Sequence, residues 1–110
     1  MNKLKNKLTN NGNLISHEDF EPLVSIIIVN WNRCDDLIET LNHVGNLLYT
    51  RLEVIVVDNG STDGSVRIIR DKFPSVTLIA LPTNIGCEDG NNVGILNASG
   101  EFLLFLDSDA

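Results

Sequence analysis

The stretch Phe102-Leu103-Leu104-Phe105-Leu106-Asp107-Ser108-Asp109 runs five apolar residues straight into two carboxylates one residue apart. Carboxylates at that spacing can share a hard divalent cation with the phosphate oxygens of a ligand. An apolar run of this length, entered from Gly100, reads as a strand buried on both faces of a parallel sheet. Asp107 and Asp109 are then expected just beyond its C-terminal end, the end at which open α/β sheets bind ligands. Asp-Ser-Asp also suits a plain turn, because Asp and Ser hydrogen-bond nearby backbone. On these residues alone both readings stand.

The elements upstream decide between them. Val24-Ser25-Ile26-Ile27-Ile28-Val29 is β-branched almost throughout and predicts a strand, ended by the polar Asn30-Trp31-Asn32-Arg33. Asp35 and Asp36 suit the first turn of a helix, and Leu37, Leu41, Val44 and Leu48 keep helical spacing after them. A second strand, Leu52 to Val57, runs into Asp58-Asn59-Gly60-Ser61-Thr62-Asp63-Gly64-Ser65, a loop dense in capping and turn residues. Val66, Ile69 and Phe73 mark a helix that Pro74 stops, and Val76 to Leu81 is the third strand. From Asn84 to Ala98 the glycines weaken helix propensity, so a loop followed by a short helix is expected. The order is β-α-β-α-β-α-β, an α/β fold with a mostly parallel sheet and alternating helices. Right-handed crossovers then put every polar loop that follows a strand on one edge. Asn30 to Arg33, Asp58 to Ser61 and Asp107 to Asp109 become neighbours, which is a pocket rather than three separate turns.

At 110 residues, 43% of them hydrophobic and 21% charged, the chain is one globular domain at most. A formal net charge of -7 argues against a nucleic-acid surface, which needs a basic patch. A phosphate ligand would need a metal or backbone amides instead. Cys34 and Cys87 lack metal-ligand spacing and read as free thiols in a reducing compartment. No apolar run approaches the ~20 residues of a spanning helix, and the N-terminus lacks a signal-peptide core, so a soluble cytoplasmic protein is expected. Residues 1–22 carry Lys3, Lys5 and Lys7, an Asn-rich patch and the acids Glu18, Asp19 and Glu21. They read as a flexible polar leader joined near Pro22 to a domain over 23–110, or, through Leu4 and Leu8, as a weak amphipathic turn.

Four blocks in order resemble the family 2 glycosyltransferases. They are Val24 to Arg33, Ile55 to Ser65, Asn84-Ile85-Gly86 with Gly90 to Ile95, and Gly100-Glu101 through Asp109. Each block alone is weak, and their order and spacing together are specific. The resemblance implies a Rossmann-like GT-A nucleotide-binding half, a nucleotide-diphospho-sugar donor, a Mg or Mn ion and transfer with inversion. It places Val29, Trp31, Asp58, Asn59 and Asp107 in the nucleotide-sugar pocket, and Asp107 and Asp109 on the metal. Trp31 matches the aromatic that lies against the base. Asn59 stands where many relatives have a second Asp that contacts the polar edge of a uracil. An amide still accepts and also donates, so a UDP- or dTDP-sugar remains the expected donor. The acceptor is expected among glycans or lipid-linked sugars of cell-surface polysaccharide synthesis.

Two departures from the family pattern bear on this. Glu88 and Asp89 lie where relatives have small residues or an Arg, close to a donor's phosphates, or they simply begin the helix. The resemblance also covers only the nucleotide-binding half, without the acceptor half and its general base, so a fragmentary transferase is expected. A non-catalytic nucleotide-sugar-binding module stays open as the alternative. So do, more weakly, a phosphatase of the haloacid dehalogenase type, whose Asp-x-Asp motif opens its domain, and a receiver-like domain, which only Asp58 matches.

Overall fold

The structure, a computed structural model, describes residues 6–8, 14–16 and 21–108. Its elements in chain order are β1 (Asn6–Leu8), β2 (Leu14–Ser16), β3 (Val24–Asn30), α1 (Cys34–Gly45), β4 (Leu52–Asp58), α2 (Ser65–Lys72), β5 (Thr77–Ala80), α3 (Cys87–Asn97) and β6 (Phe102–Asp107). Strands β3 to β6 form a parallel sheet in the order β5-β4-β3-β6. From β3 onward the sequence reading of alternating strands and helices holds. Within the expected flexible leader, β1 and β2 pair antiparallel, with Lys7 opposite Ile15. A two-stranded ladder of this length is marginal in water.

β3 is the central strand, and its β-branched run is buried on both faces, with Ile26, Ile27 and Ile28 fully enclosed. Ile26 and Ile28 pack with Val56, with Leu37, Leu41 and Val44 of α1 and with Ile69 of α2. Ile27 packs on the opposite face with Ile55 and Val57, joined there by Val93 of α3. The result is a three-layer α/β/α sandwich, one helix pair on one face and α3 on the other.

Helix α3 is longer than the expected short helix. Its glycines are there for packing: Gly90 and Gly94 are its buried residues. A Cβ on Gly94 would lie 2.5 Å from Ile27 Cγ2. Helix α3 therefore gives up propensity, about 1 kcal/mol per glycine, to press its backbone onto the sheet.

Two other expectations are corrected. Helix α1 stops at Gly45 although Leu48 continues its spacing; the Asn46 amide turns back to His43 and Val44 carbonyls, and Leu48 is left 97% exposed. The β6 run was expected to be buried on both faces, and it is an edge strand. Among the described residues only β3 pairs with it, α3 lies over β3 and β4, and Phe102, Leu103, Leu104 and Phe105 are exposed. An apolar run reports that a strand wants burial, not that a neighbour supplies it.

The connector from α3 into β6 is pinned at the opposite end of the sheet from Asp107. Glu53 Oε1 accepts the Ser99 amide at 2.8 Å and the Ser25 hydroxyl at 2.7 Å, while Ser25 Oγ accepts the Gly100 amide at 2.8 Å. The Ser99 amide first, and then the Ser25 hydroxyl, hold the Glu53 carboxyl below its ordinary range.

Two outcomes follow. Gly94→Ala lowers stability by about 1–3 kcal/mol through overpacking against Ile27, measured by urea denaturation; an unchanged midpoint contradicts the close approach. Because the folded Glu53 pKa is depressed, its contribution is present above the ordinary glutamate value of about 4.3 and is lost as the pH falls below it. Glu53→Gln therefore flattens the acid limb of the stability–pH curve, and an unaltered limb contradicts the clamp.

Candidate functional site

The parallel register sets the ends of β3, β4 and β6 side by side: Asn30 is opposite Asp58, and Val29 is opposite Asp107. Side chains that are far apart in sequence meet there because the strands run in one direction.

Asp58 is 1% exposed and its carboxylate is fully engaged. Oδ1 accepts Asn30 Nδ2 at 3.0 Å and the Ser61 hydroxyl at 2.7 Å, and Oδ2 accepts the Ser61 amide at 2.8 Å. Ser61 Oγ also accepts the Asn32 amide at 2.9 Å. Asn32, at φ 52°, returns the contact by accepting the Thr62 amide on Oδ1 at 2.7 Å. A left-handed Asn stabilised by local hydrogen bonds is the ordinary way for a non-glycine residue to hold that angle. Trp31 thus sits between two residues fixed to the β4 loop, while Trp31 itself is 52% exposed.

The same loop sets both helix starts. Asp63 Oδ2 accepts the Cys34 amide at 3.1 Å and Oδ1 accepts the Ser65 amide at 3.0 Å, so one side chain caps the first turns of α1 and α2. Burial pushes the Asp63 carboxyl up, but hydrogen bonds from Ser65 and from the Cys34 amide outweigh it and hold the group below the usual aspartate range. On the β6 side, the buried Thr40 hydroxyl of α1 donates to the Ser108 carbonyl at 2.8 Å, fixing the chain just after Asp107.

Around this frame is a cavity of about 460 Å³ whose lining includes Val29, Trp31, Asn59 and Asp107. Four of the residues singled out in sequence therefore face one space. Asp58 does not line it; it is buried beneath, holding the turn. Asp109 lies outside the described residues. Asn84, Gly86 and Cys87 complete one wall. Sequence reasoning placed Asn84 and Gly86 in a motif without giving them a role, read Cys87 as a free thiol, and missed Ser61 as the hub of the network; the clustering of Asp, Asn and Ser around 58–63 was the available signal. Glu88 and Asp89 lie in the first turn of α3, exposed, and are not part of this lining, which fits the helix-start reading. Cys34 and Cys87 are free thiols. A second, open hollow of about 640 Å³ shares Trp31 and Arg33 with the first and is bordered by Asp36 and Asp63.

Asp107 is an exposed carboxylate at the strand end, an oxygen donor of the kind Mg and Mn take. Among the described residues no group of three or more His, Cys, Asp or Glu converges on a metal position. Among the described residues no helix is long and apolar enough to cross a membrane.

A parallel α/β sheet with a cavity at its C-terminal strand ends defines a Rossmann-like α/β fold, and that edge is where open sheets of this kind bind ligands. Residues 25–110 match glycosyl transferase family 2, and the chain belongs to that family. It is 40% identical over 91 residues to an uncharacterized glycosyltransferase of Haemophilus influenzae, covering 80% of this chain and 36% of that protein. It is 36% identical over 93 residues to the glycosyltransferase AglE of Haloferax volcanii, covering 80% and 31%. The chain thus spans about a third of the length of these relatives. Among solved structures it resembles the mannosyltransferase PcManGT of Pyrobaculum calidifontis in complex with GDP-Man and Mn2+, with a TM-score of 0.72, 30% identity and coverage of 83% of this chain and 28% of that one. S. aureus TarS 1-349 in complex with UDP-GlcNAc gives a TM-score of 0.68, 35% identity and coverage of 78% and 26%. Membership sets aside the phosphatase and receiver readings.

Ser61→Ala removes the hub hydroxyl and leaves the Asn32 amide without its acceptor. It should cost about 1–3 kcal/mol and alter the emission and anisotropy of Trp31, the single tryptophan of the chain. Unchanged Trp31 fluorescence would show that the network does not position the indole.

Proposed function

We propose that this chain binds a nucleotide-diphospho-sugar donor at the C-terminal edge of the β3–β4–β6 sheet, as the donor-binding part of an inverting glycosyltransferase. The observation that carries this is the meeting of Val29, Trp31, Asn59 and Asp107 around one cavity in a member of this family. The structurally similar proteins are in complex with GDP-Man and Mn2+ and with UDP-GlcNAc. For this chain a UDP- or dTDP-sugar is the proposed donor, and a glycan or lipid-linked sugar of cell-surface polysaccharide synthesis the proposed acceptor.

In this reading Trp31 offers its exposed face to the base, a contact that works for any base because each has a π surface. Val29 forms the apolar floor beside it. Asp58 touches no ligand; it keeps Asn30, Ser61 and the Trp31 turn in place. Asp107 and Asp109 would hold Mg or Mn against the diphosphate. When bound, the cation neutralises the charge that develops on the departing diphosphate. With the Asp107 carboxylate on the cavity and a net charge of -7, donor binding without a cation is opposed electrostatically. An acceptor hydroxyl must also lose its proton as it attacks. No described acid in this site is placed as its base in this proposal, so binding rather than turnover is the activity to measure.

UDP with Mn2+ should quench Trp31 emission, and Trp31→Ala should weaken UDP binding by about tenfold or more, the equivalent of 1–3 kcal/mol of stacking. Calorimetry should show that Mn2+ strengthens UDP binding in the native chain and not in Asp107→Ala or Asp109→Ala. Equal affinity with and without Mn2+ in all three proteins removes the metal assignment. No quenching by any of UDP, dTDP or GDP removes the nucleotide assignment.

A further inference from the structure

The turn that ends β4 and the 81–86 loop before α3 are joined at four points. The Leu81 amide donates to the Asp58 carbonyl at 2.8 Å. Gly60, at φ 78°, approaches the loop so closely that a Cβ would lie 2.9 Å from Thr83 Cα. Asn59 makes the other two contacts. Its Oδ1 accepts the Ile85 amide at 3.2 Å, and its Nδ2 donates to the Gly86 carbonyl at 3.0 Å. Helix α3 closes over this amide: a Cβ on Gly90 would be 3.2 Å from Asn59 Nδ2, and Asn59 is 2% exposed.

This pattern needs a group that gives a proton on one side and takes one on the other, which a side-chain amide does and an ionised carboxylate does not. An aspartate at 59 could still receive the Ile85 amide. Its second oxygen would then face the Gly86 carbonyl with no proton between them, two acceptors in a part-buried contact. The loop held in this way supplies Asn84, Gly86 and Cys87 to the cavity wall.

We propose that Asn59 is a positioning residue: its amide clamps the 84–86 loop to the end of β4, and its effect on nucleotide binding passes through that loop. The clamp is a property of the fold, and its consequence for nucleotides rests on the function proposed above. A base-reading role predicts the opposite behaviour on substitution. An aspartate can accept a pyrimidine N–H at least as well as an amide, so Asn59→Asp would keep or improve UDP binding if residue 59 read the base directly.

The test is amide exchange by NMR together with UDP titration in the presence of Mn2+, on the native chain and on Asn59→Asp and Asn59→Ala. In the native protein the Ile85 amide exchanges slowly. In Asn59→Ala it exchanges at least about tenfold faster, the equivalent of one lost hydrogen bond. Asn59→Asp shifts the Gly86 and Cys87 amide resonances and weakens UDP binding by about tenfold, as the alanine variant does. Fast exchange of Ile85 in the native chain overturns the clamp whether or not the variants fold. Native or tighter UDP binding by Asn59→Asp, with Gly86 and Cys87 resonances in place, also overturns it. If the native chain binds no UDP, the donor reading fails by itself; slow Ile85 exchange lost in Asn59→Ala then still establishes the clamp, and unchanged exchange overturns it.

Discussion

A carboxylate removed from water must be given hydrogen-bond donors or it destabilises the segment that carries it. Asp58, at the end of β4, takes its donors from Asn30 at the end of β3 and from Ser61 in its own loop. The Asn30 donor is available only when the two strands stand in register with Asn30 opposite Asp58, and the Ser61 donors only when the loop after β4 folds back on its own first residue. Satisfying one buried group therefore fixes the relative position of two loops. Asn32 and Thr62 follow through Ser61, and Trp31, carried between Asn30 and Asn32, is presented outward on a backbone that has little freedom left.

The sheet supplies the rest of the placement by packing. β3 is enclosed on both faces, so its neighbours β4 and β6 share a reference that cannot shift without exposing Ile26, Ile27 or Ile28. Strand β6 has less support, because among the described residues it pairs on one side only. It is held at its two ends instead, by the Glu53–Ser25–Ser99 contacts where it begins and by the Thr40 hydroxyl on Ser108 where it finishes. These end contacts bring Asp107 to the cavity that Trp31 and Asn59 line. The site thus joins a rigid part, the β3 and β4 loops, to a carboxylate on an edge strand.

Much of this was legible in the chain. The β-branched run 24–29, the polar stretches after each strand and the alternation of elements were enough to place Trp31, Asn59 and Asp107 on one edge. What was not legible has physical reasons. The run 102–106 is as apolar as a buried strand, and only the sheet order shows that β6 has a neighbour on one side. Leu48 keeps the period of α1, yet the helix ends when the Asn46 amide turns back to His43 and Val44. The glycines of α3 look like helix breakers until Ile27 is seen against the backbone of Gly94. Asn59 was read as a polar group for a ligand, and the partners it takes are Ile85 and Gly86, more than 20 residues further along the chain. Hydrogen bonds across that separation leave no local mark in sequence.

The C-terminal edge of β3, β4 and β6 is proposed as a nucleoside-diphosphate site. A crystal structure of the chain grown with UDP and Mn2+ tests it most directly. The uracil is expected against the indole of Trp31 and the diphosphate beside Asp107, with the Asp58 hydrogen bonds to Asn30 and Ser61 unchanged. UDP seated elsewhere, such as at the opposite end of the sheet near Glu53 and Ser99, or a base that leaves Trp31 untouched, would contradict it.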